Sequence, residues 1–322
     1  MTWLSFHEFD AEKSNYDALV RETHDVDIFC SRGHWILPAQ SIYAPGAQPF
    51  IWRTEHSYSV FMLINVAPDV SCAMPLEIGW GLSCPLIGAD ADRTVGALAS
   101  ALKRVESKPD YVLVSGVVEG SALCGALNTR FGAQILGNHG EACVRRVADI
   151  SGGMDGFLSR RTAKFRSELL RKRRQVERLG LGCEYIRAGS LEDLMHRIVA
   201  VESESWKGLS EQGVDSGLPL QFYEHLVASL LAEETFRAVF VQLNGADIAF
   251  AFGGIEGSTF RGLQLSFRDE FRSMAPGNYA QIQLIEWLMS EGVTRYDLGM
   301  DMPYKVRWAE QTQVTQTRVI AL

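Results

Sequence analysis

One short segment of the chain concentrates positive charge that could bind an anion. Nine of the nineteen side chains from Arg160 to Arg178 are basic and only Glu168 and Glu177 are acidic, so the segment carries +7. The whole chain carries −8, which leaves −15 on the other residues. Guanidinium groups at helical spacing converge well on phosphate, so one interpretation is a site for a phosphate-bearing donor or an anionic acceptor. The other is a solvated helix surface, where most charge runs lie.

The apolar residues of this segment predict a helix. They recur at alternating intervals of four and three residues, which places a mostly apolar stripe along one side of the helix. Gly180 and Gly182 then end it. The stripe consists of Leu158, Thr162, Phe165, Leu169, Lys172, Val176 and Leu179.

Histidine and cysteine are not arranged for metal binding or nucleophilic catalysis. The seven histidines form no HxxxH or HxxE pattern, and no Ser-His-Asp arrangement can be inferred. The cysteines form no CxxC or Cys/His pair at metal spacing, and we interpret them as buried free thiols of a reducing compartment. We therefore expect no metal site. The six cysteines are Cys30, Cys72, Cys84, Cys124, Cys143 and Cys183.

The predicted elements divide the chain into parts. Residues 1–150 alternate strand-like and helix-like segments, and the sequence SGGMDG at 151–156 predicts a flexible, poorly packing stretch. We expect an N-terminal unit over 1–150, a linker and basic connecting helix over 151–181, and a C-terminal unit over 182–322. In the last part we predict a strand at 183–188, a helix from Ser190 and a second helix after Pro219. Three antiparallel strands follow at 236–243, 246–254 and 258–267, and then a helix after Gly277 and a strand at 294–300.

This order of elements resembles the GNAT acyltransferase fold, and more specifically its CelD-like and FemAB-like branch, in which two GNAT-type units lie in one chain. The resemblance implies an α/β (α+β) fold with two units of mixed, largely antiparallel sheet flanked by helices. It also implies that the basic helix joins the units and that its arginines border a cleft between them. Four stretches within 157–310 carry the resemblance: FLSRRTAKFRSELLRKRRQVERLG, ESESWKG at 202–208, APG at 275–277 and YDLGMDMPYKVRW at 296–308.

The resemblance implies a binding site for an acyl donor on the strand 261–267 and the loop that follows it. In this fold the amine attacks the donor carbonyl directly, so positioning does most of the work. A splayed strand would offer the backbone of Leu265 and Ser266 to the carbonyl, and amides at a helix N-terminus would bind the phosphates. The residues that occupy the phosphate-binding position are Arg272, Gly277, Asn278 and Tyr279.

That loop departs from the pattern of acetyl-CoA enzymes with this fold. Their pattern is Gln or Arg, two residues, Gly, one residue, then Gly or Ala. Aligned on Gly277, this chain has Met274 in the first position and Tyr279 in the last, so only one glycine is kept. The departure argues against acetyl-CoA itself as the donor. An ordinary turn into a helix at Pro276-Gly277 is the alternative interpretation.

The stretch 296–308 contains the candidate catalytic residues. FemX-type transferases carry a lysine after an aromatic residue in this region, so the resemblance implies that Lys305, after Tyr304, stabilises the developing oxyanion. A surface salt bridge to Asp297 or Asp301 is the alternative for Lys305. Both aspartates are also candidate bases for the acceptor amine, because they lie at and just past a strand end, although either could cap a helical turn. Trp206 and Tyr304 are candidate acceptor contacts, and a core position is the alternative for Trp206.

Three functional hypotheses follow. The first is an N-acyltransferase that moves an acyl group from an acyl-CoA-type thioester to a small-molecule amine, in cell-surface polysaccharide or secondary-metabolite assembly. The second is a FemAB-like aminoacyltransferase with aminoacyl-tRNA as its donor, although +7 on an acidic chain is modest for a tRNA ligand. The third is a non-catalytic binding module on the same scaffold.

The sequence also predicts where the protein works. Its N-terminus has acids where a secretory signal would have a basic region and an apolar stretch. The longest apolar runs, such as 60–67, are well short of the roughly 18–20 residues that span a bilayer. We therefore expect a cytoplasmic protein with no membrane span.

Overall fold

The computed structural model describes residues 1–138, 142–210 and 213–322. They form two compact units: the first comprises residues 1–143 and 314–322, and the second comprises residues 144–313. The basic helix thus groups with the second unit and the end of the chain with the first, unlike the predicted division at 150 and 181. The expectation that the basic helix borders a cleft between units stays a prediction.

The helices and strands follow one another in mixed order. The strands are β1 Thr2–Leu4, β2 Gln48–Arg53, β3 Tyr58–Ala67, β4 Val70–Pro75, β5 Leu86–Ile87, β6 Tyr111–Val118, β7 Ile135–Asn138, β8 Cys143–Asp149, β9 Gly182–Ile186, β10 Phe236–Leu243, β11 Ala246–Glu256, β12 Thr259–Phe267, β13 Arg295–Met300 and β14 Gln311–Ala321. The helices are α1 Phe6–Ala11, α2 Lys13–Glu22, α3 Ile28–Ser31, α4 Gly33–Tyr43, α5 Ala91–Leu102, α6 Ala122–Phe131, α7 Gly153–Ser159, α8 Ala163–Arg178, α9 Leu191–Glu202, α10 Trp206–Leu209, α11 Gly217–Ala232 and α12 Pro276–Ser290.

The first unit contains a mixed sheet in the order β1-β2-β3-β4-β6-β14, with β5 also on β3 and β7 also on β14. Its neighbouring strands are antiparallel except β4 and β6, which run parallel. The crossover between those two strands contains helix α5, as a parallel connection requires.

The second unit repeats this plan in the order β8-β13-β12-β11-β10-β9. Strands β10, β11 and β12 form an antiparallel meander, and helix α12 then leads to β13, which runs parallel to β12. The predicted hairpin at Asn244-Gly245 is confirmed, because both residues have the positive φ that a type I′ turn needs, 51° and 82°.

Helices cover both faces of the second sheet. Ala249 and Ala251 of β11 pack on one face with residues of α7, α8 and α12. Phe250 and Phe252 alternate with them and face the other side, where Phe252 contacts Tyr223 of α11. The predicted α/β class, with mixed, largely antiparallel sheets flanked by helices, is confirmed.

The basic segment is the helix that its spacing predicts. Phe165, Leu169 and Val176 of α8 are buried in the core on the α12 side of the sheet. The prediction of a flexible stretch at 151–156 is wrong, because α7 begins at Gly153. Phe157 anchors that helix: its side chain is fully buried and its ring stacks on Trp308 at 6.4 Å.

No helix among the described residues is both long enough and apolar enough to cross a membrane.

Candidate active site

Strands β12 and β13 part in the middle of the second unit. Their parallel ladder pairs Thr259 with Arg295, Phe260 with Tyr296 and Arg261 with Asp297, and it ends there. Strand β12 continues along β11 as far as the pair Phe267–Ala249, while β13 continues along β8 to the pair Met300–Arg145. The two strands therefore diverge after Arg261 and Asp297, and backbone groups of β12 that point toward β13 face an opening.

A bulge marks the start of the opening. Gly253 pairs with Gly262 and Phe252 with Gln264, so Leu263 is an extra residue in β12. Bulges re-aim side chains and end strand pairing, and they are frequent beside active sites. The predicted donor residues Leu265 and Ser266 lie on β12 beyond this bulge. Ser266 is buried, and its Oγ has no hydrogen-bond partner among the described atoms.

Lys305 lies at the mouth of the opening. Its Nζ donates to the carbonyl of Met300 at 2.9 Å. A methyl group on Gly299 would stand 3.6 Å from that Nζ and 3.7 Å from the carbonyl oxygen of Gly262, so the ammonium lies beside both diverging strands. Burial lowers the pKa of Lys305 to about 8, with a further contribution from the Arg261 charge. A lysine of this pKa is mostly charged at neutral pH and can donate to an oxyanion.

Asp297 lies behind the lysine in a buried charge cluster. Arg145 and Arg261 each donate to its Oδ2 at 2.6 Å, and the amide of Gly299 donates to its Oδ1 at 2.8 Å. Burial opposes the charged carboxylate, but the two arginines outweigh it, so the pKa of Asp297 lies below its ordinary value. A carboxylate held in this way has little capacity to take a proton from an acceptor amine.

Asp301, the second candidate base, is exposed. The Arg146 guanidinium donates hydrogen bonds to both oxygens of Asp301: Nε lies 2.7 Å from Oδ1, and a terminal nitrogen lies 3.2 Å from Oδ2. These hydrogen bonds lower the pKa of the Asp301 carboxyl. Neither aspartate forms a salt bridge to Lys305, so the predicted alternative for the lysine is wrong.

The start of helix α12 lies beside the far end of β12. Ala275 precedes the helix with φ of 56°, Pro276 is its first residue, and no side chain caps it. Within the described part of the chain, the amides of Gly277 and Asn278 donate to no backbone acceptor. A methyl group on Gly277 would lie 2.9 Å from the Phe267 ring and 3.1 Å from the Leu265 side chain. The close packing needs glycine, and the two amides suit an anion.

Cations surround this helix start. Lys172 of α8 donates to the carbonyl of Ser273 at 2.8 Å, just before the helix. Arg272 is exposed and pairs with Asp269. Tyr279 points elsewhere and bonds the Cys183 thiol. Arg272 lies 6.0 Å from the Phe267 ring, which also packs against Gly277, whereas the Tyr279 side chain is engaged with Cys183.

The basic side chains of helix α8 lie in two environments: some reach α12 and the loop before it, and others are exposed to solvent. Lys172 reaches the α12 loop, and Arg173 pairs with Glu286 of α12. Lys164, Arg171, Arg174 and Arg178 are exposed, and the charges of Lys164 and Arg171 act on the Glu168 carboxylate. Most of the charge is therefore solvated, and part of it lies at the candidate phosphate site.

Tyr304 and Trp206 are the two residues predicted to contact the acceptor. Tyr304 is exposed, and its ring lies 5.8 Å from the Lys305 Nζ. Trp206 is 42% exposed, so the core alternative for this residue is wrong. Both side chains are accessible to a ligand.

In the first unit, the position that corresponds to the opening between β12 and β13 is occupied by the backbone at Ser83. Strands β4 and β6 pair only at Cys72–Tyr111 and Ala73–Val112. Beyond these pairs the Ser115 hydroxyl of β6 donates to the carbonyl of Ser83 at 2.6 Å, and a methyl group on Gly116 would lie 2.8 Å from that same peptide. The start of α5 is capped by its own acid, because Asp90 accepts from the amide of Arg93. Among the described residues of the first unit, this position therefore offers an anionic donor neither an opening nor an uncapped helix start.

Comparison with known proteins identifies the fold. Residues 163–306 match the family of acetyltransferase (GNAT) domains. This part of the chain is therefore similar to GNAT acetyltransferase domains. No curated protein matches it by sequence.

Solved GNAT-fold structures match the chain over nearly its whole length. FemX is 12% identical over 96% of both chains, with a TM-score of 0.69. A conserved protein of unknown function from Bacteroides thetaiotaomicron is 13% identical over 96% of this chain and 97% of its own, with a TM-score of 0.63. L-PGS from Bacillus licheniformis is 12% identical over 95% of this chain and 90% of its own, with a TM-score of 0.57. At these identities the likeness concerns the fold.

Several residues of the candidate site carry no sequence signal. Arg145 and Arg261 are distant in sequence from Asp297, and nothing in the spacing links them. Gly299 follows a strand-like stretch without a turn signal, although its φ is 81°. Lys207 lies within the ESESWKG stretch that supports the family resemblance, but the stretch gave no role to the lysine.

Proposed function

We propose that this protein is an N-acyltransferase that moves an acyl group from an acyl-CoA-type thioester to the amine of a small molecule. The divergence of β12 and β13 is the observation that carries the proposal. It makes an opening with an ammonium at its mouth and uncapped helix amides at the far end of β12. An extended thioester with phosphates at one end and a reactive carbonyl at the other suits that arrangement.

In the proposed reaction the donor carbonyl lies near Lys305. The neutral amine attacks the carbonyl carbon, a carbon–nitrogen bond forms, and the oxygen becomes an oxyanion to which Lys305 donates. The carbon–sulfur bond then breaks and the thiolate leaves as the free thiol. The proton that the amine loses is taken up by the thiolate through water, and of the two predicted bases we retain Asp301 as the group that relays it, because Asp301 is exposed while Asp297 is buried.

The phosphates of the donor are proposed to meet the start of α12. The amides of Gly277 and Asn278 and the side chains of Arg272 and Lys172 supply donors and positive charge there. On the resemblance to the CelD-like branch, we place the reaction in the cytoplasm and in polysaccharide or secondary-metabolite assembly.

Two measurements on the full chain test this function. Thermal unfolding with acetyl-CoA and longer acyl-CoAs should show a rise in Tm that grows with donor concentration. Release of free thiol in the presence of a panel of small amines should depend on both substrates and should be lost in Lys305→Ala, whose Tm without donor should match the wild type. Full turnover in Lys305→Ala would remove the lysine from the mechanism, and no stabilisation by any acyl-CoA would argue against the donor class.

A second candidate function has specific support. A FemAB-like transfer from aminoacyl-tRNA is favoured by the Tyr304-Lys305 pair, by the single glycine of the α12 loop and by the exposed cations of α8. Charged tRNA should then be retained in a steeply salt-dependent manner while acyl-CoA has no effect on Tm. If neither ligand stabilises the protein, a non-catalytic binding module is the better description.

A further inference from the structure

The segment from Glu202 to Gly208 is fastened to β12 and to the residues just after it. At one point, the Glu204 carbonyl accepts from the amide of Asp269 at 2.9 Å, and the Glu204 carboxylate pairs with Arg268 at 2.9 Å. At the other, Lys207 Nζ donates to Gln264 Oε1 at 2.8 Å. The second contact lies directly after the bulge at Leu263, where the opening begins.

The local turn holds Lys207 in a fixed position. Ser205 Oγ accepts from the amides of Lys207 and Gly208, each at 3.2 Å. A methyl group on Gly208 would overlap the Glu202 carbonyl, so the turn has no space to shift. The chain between Glu202 and Gly208 is therefore a closely packed, hydrogen-bonded turn.

The Lys207 ammonium links a buried acid to the strand. It lies 3.0 Å from Glu202 Oε1, and the Glu202 side chain is fully buried. Gln264 in turn donates from Nε2 to the Tyr223 hydroxyl at 2.8 Å. The side chain of Gln264 is thus held from both ends, by a cation on its oxygen and a hydroxyl on its nitrogen.

Lys207 is also an electrostatic neighbour of Lys305. Four charged side chains act electrostatically on the Lys305 ammonium: Arg261 of β12, Asp297 of β13, Lys207 of α10, and Asp301. Its own neighbour Tyr304 adds a ring face. Burial lowers the pKa of Lys305 to about 8; the charges of Arg261 and Lys207 act in the same direction, and Asp297 and Asp301 oppose it.

We propose that Lys207 is a positioning residue for acyl transfer: its ammonium, paired with the buried Glu202, fixes Gln264 at the start of the opening and contributes to the field at Lys305. The inference rests on the proposed role of Lys305. Lys207 does not touch the reacting atoms and acts through Gln264 and Lys305. With both lysines in place, the mouth of the opening favours an oxyanion and an acceptor that carries an anionic group near its amine.

The test compares three variants of the full chain. Lys207→Gln removes the charge but keeps an amide donor for Gln264, Lys207→Arg keeps the charge, and Lys103→Met removes an exposed lysine in the first unit. We expect Lys207→Gln to lower kcat on the order of tenfold or more with little change in the KM of the donor. We expect Lys207→Arg to recover much of that loss and Lys103→Met to equal the wild type.

A spectroscopic titration separates this inference from the proposed function. The Lys305 side chain is followed by NMR in isotope-labelled protein without substrate, with Lys305→Ala to assign its signal. In wild type we expect a titration near pH 8, and in Lys207→Gln a titration moved toward 10.5, because a neighbouring positive charge is gone. An unmoved titration together with unchanged kcat in Lys207→Gln would overturn the role of Lys207, whatever the donor proves to be. If the Lys305 titration moves in Lys207→Gln but the protein uses no acyl-CoA, the role of Lys207 stands and only the proposed donor class is refuted.

Discussion

Arg261 and Asp297 form a buried ion pair at the last paired position of two diverging strands. Their side chains are 2.6 Å apart, and the same two residues are the final register pair between β12 and β13. Arg145 of β8 donates to the same oxygen of Asp297 from the other side. The charge cluster thus holds three strands together at the point where the opening begins, which gives Asp297 a structural role.

Asp297→Asn should therefore destabilise the protein strongly. It removes the buried carboxylate charge to which two buried guanidinium groups donate, and breaking a buried ion pair typically costs about 3–5 kcal/mol of the free energy of unfolding. Asp301→Asn is the matched control, since its partner Arg146 is solvated, and it should change stability little. Urea unfolding of both variants measures the difference. An Asp297→Asn protein as stable as wild type but inactive would restore Asp297 as the base.

The low pKa of Asp297 gives this cluster a pH dependence. A carboxyl whose pKa is depressed on folding contributes stability above its unfolded pKa, and that contribution is lost as pH falls. The stability gap between wild type and Asp297→Asn should therefore shrink on acidification below pH 4. Urea midpoints at several acidic pH values measure it, and a gap that widens there would contradict the assignment.

Gly299→Ala should impair transfer more than it impairs donor binding. Gly299 has φ of 81°, and an L-residue in the left-handed region costs about 1–2 kcal/mol. Its methyl group would also come into van der Waals contact with the Lys305 Nζ, at 3.6 Å, so the change acts directly beside the lysine. Gly120→Ala is the control, because Gly120 has φ of 77° and open space around it. We expect turnover to fall in the first variant only, with similar thermal destabilisation in both. Equal turnover would mean that the Lys305 position is not critical.

One donor molecule should bind per chain. In the first unit the Ser83 peptide fills the place beyond the β4–β6 pairs, and Asp90 caps the helix that would meet the phosphates. Isothermal titration calorimetry with a non-hydrolysable acyl-CoA analogue should give a stoichiometry near one. Gly277→Val should abolish the binding, since even one methyl group there lies 2.9 Å from Phe267. Two sites of similar affinity would contradict this difference between the units.

Glu77 should make the first unit less stable as pH rises from about 4.5 to 7. This carboxyl is fully buried and accepts from Trp35 Nε1 at 3.0 Å and from the amides of Leu82 and Ser83. Burial raises its pKa to about 7, so the folded state binds more protons than the unfolded state between pH 4.5 and 7. Its contribution therefore falls as pH rises through that window.

Glu77→Gln provides the comparison for this prediction, because it cannot ionise. The difference in Tm between wild type and Glu77→Gln should shift against wild type from pH 5 to pH 8. A difference that is constant over this range would show that Glu77 does not titrate there.

The sequence predicted local features of this fold well and long-range ones poorly. The hairpin at Asn244-Gly245 and the helix after Pro276 follow from turn chemistry that adjacent residues determine. The helix α7 was missed because glycines at 152, 153 and 156 favour a flexible chain, whereas burial of Phe157 favours order. Local composition does not reveal what a side chain will pack against.

The candidate site shows the same limit. Lys305 could be proposed from a family pattern, and Gly277 from its place before a helix. The environment that sets the charge of Lys305 comes from Arg261, Asp297 and Lys207, which three different elements contribute. Their meeting depends on the register between β12 and β13 and on the turn at Ser205, and neither follows from spacing along the chain.

The central claim is that the divergence of β12 and β13 holds the acyl donor, and a crystal structure with bound coenzyme A tests it most directly. The account predicts the pantetheine arm between Gly262–Phe267 and Leu298–Met300, the phosphates at the amides of Gly277 and Asn278, and the thiol near Lys305. Coenzyme A bound in the first unit, or anywhere that leaves this opening empty, would contradict it.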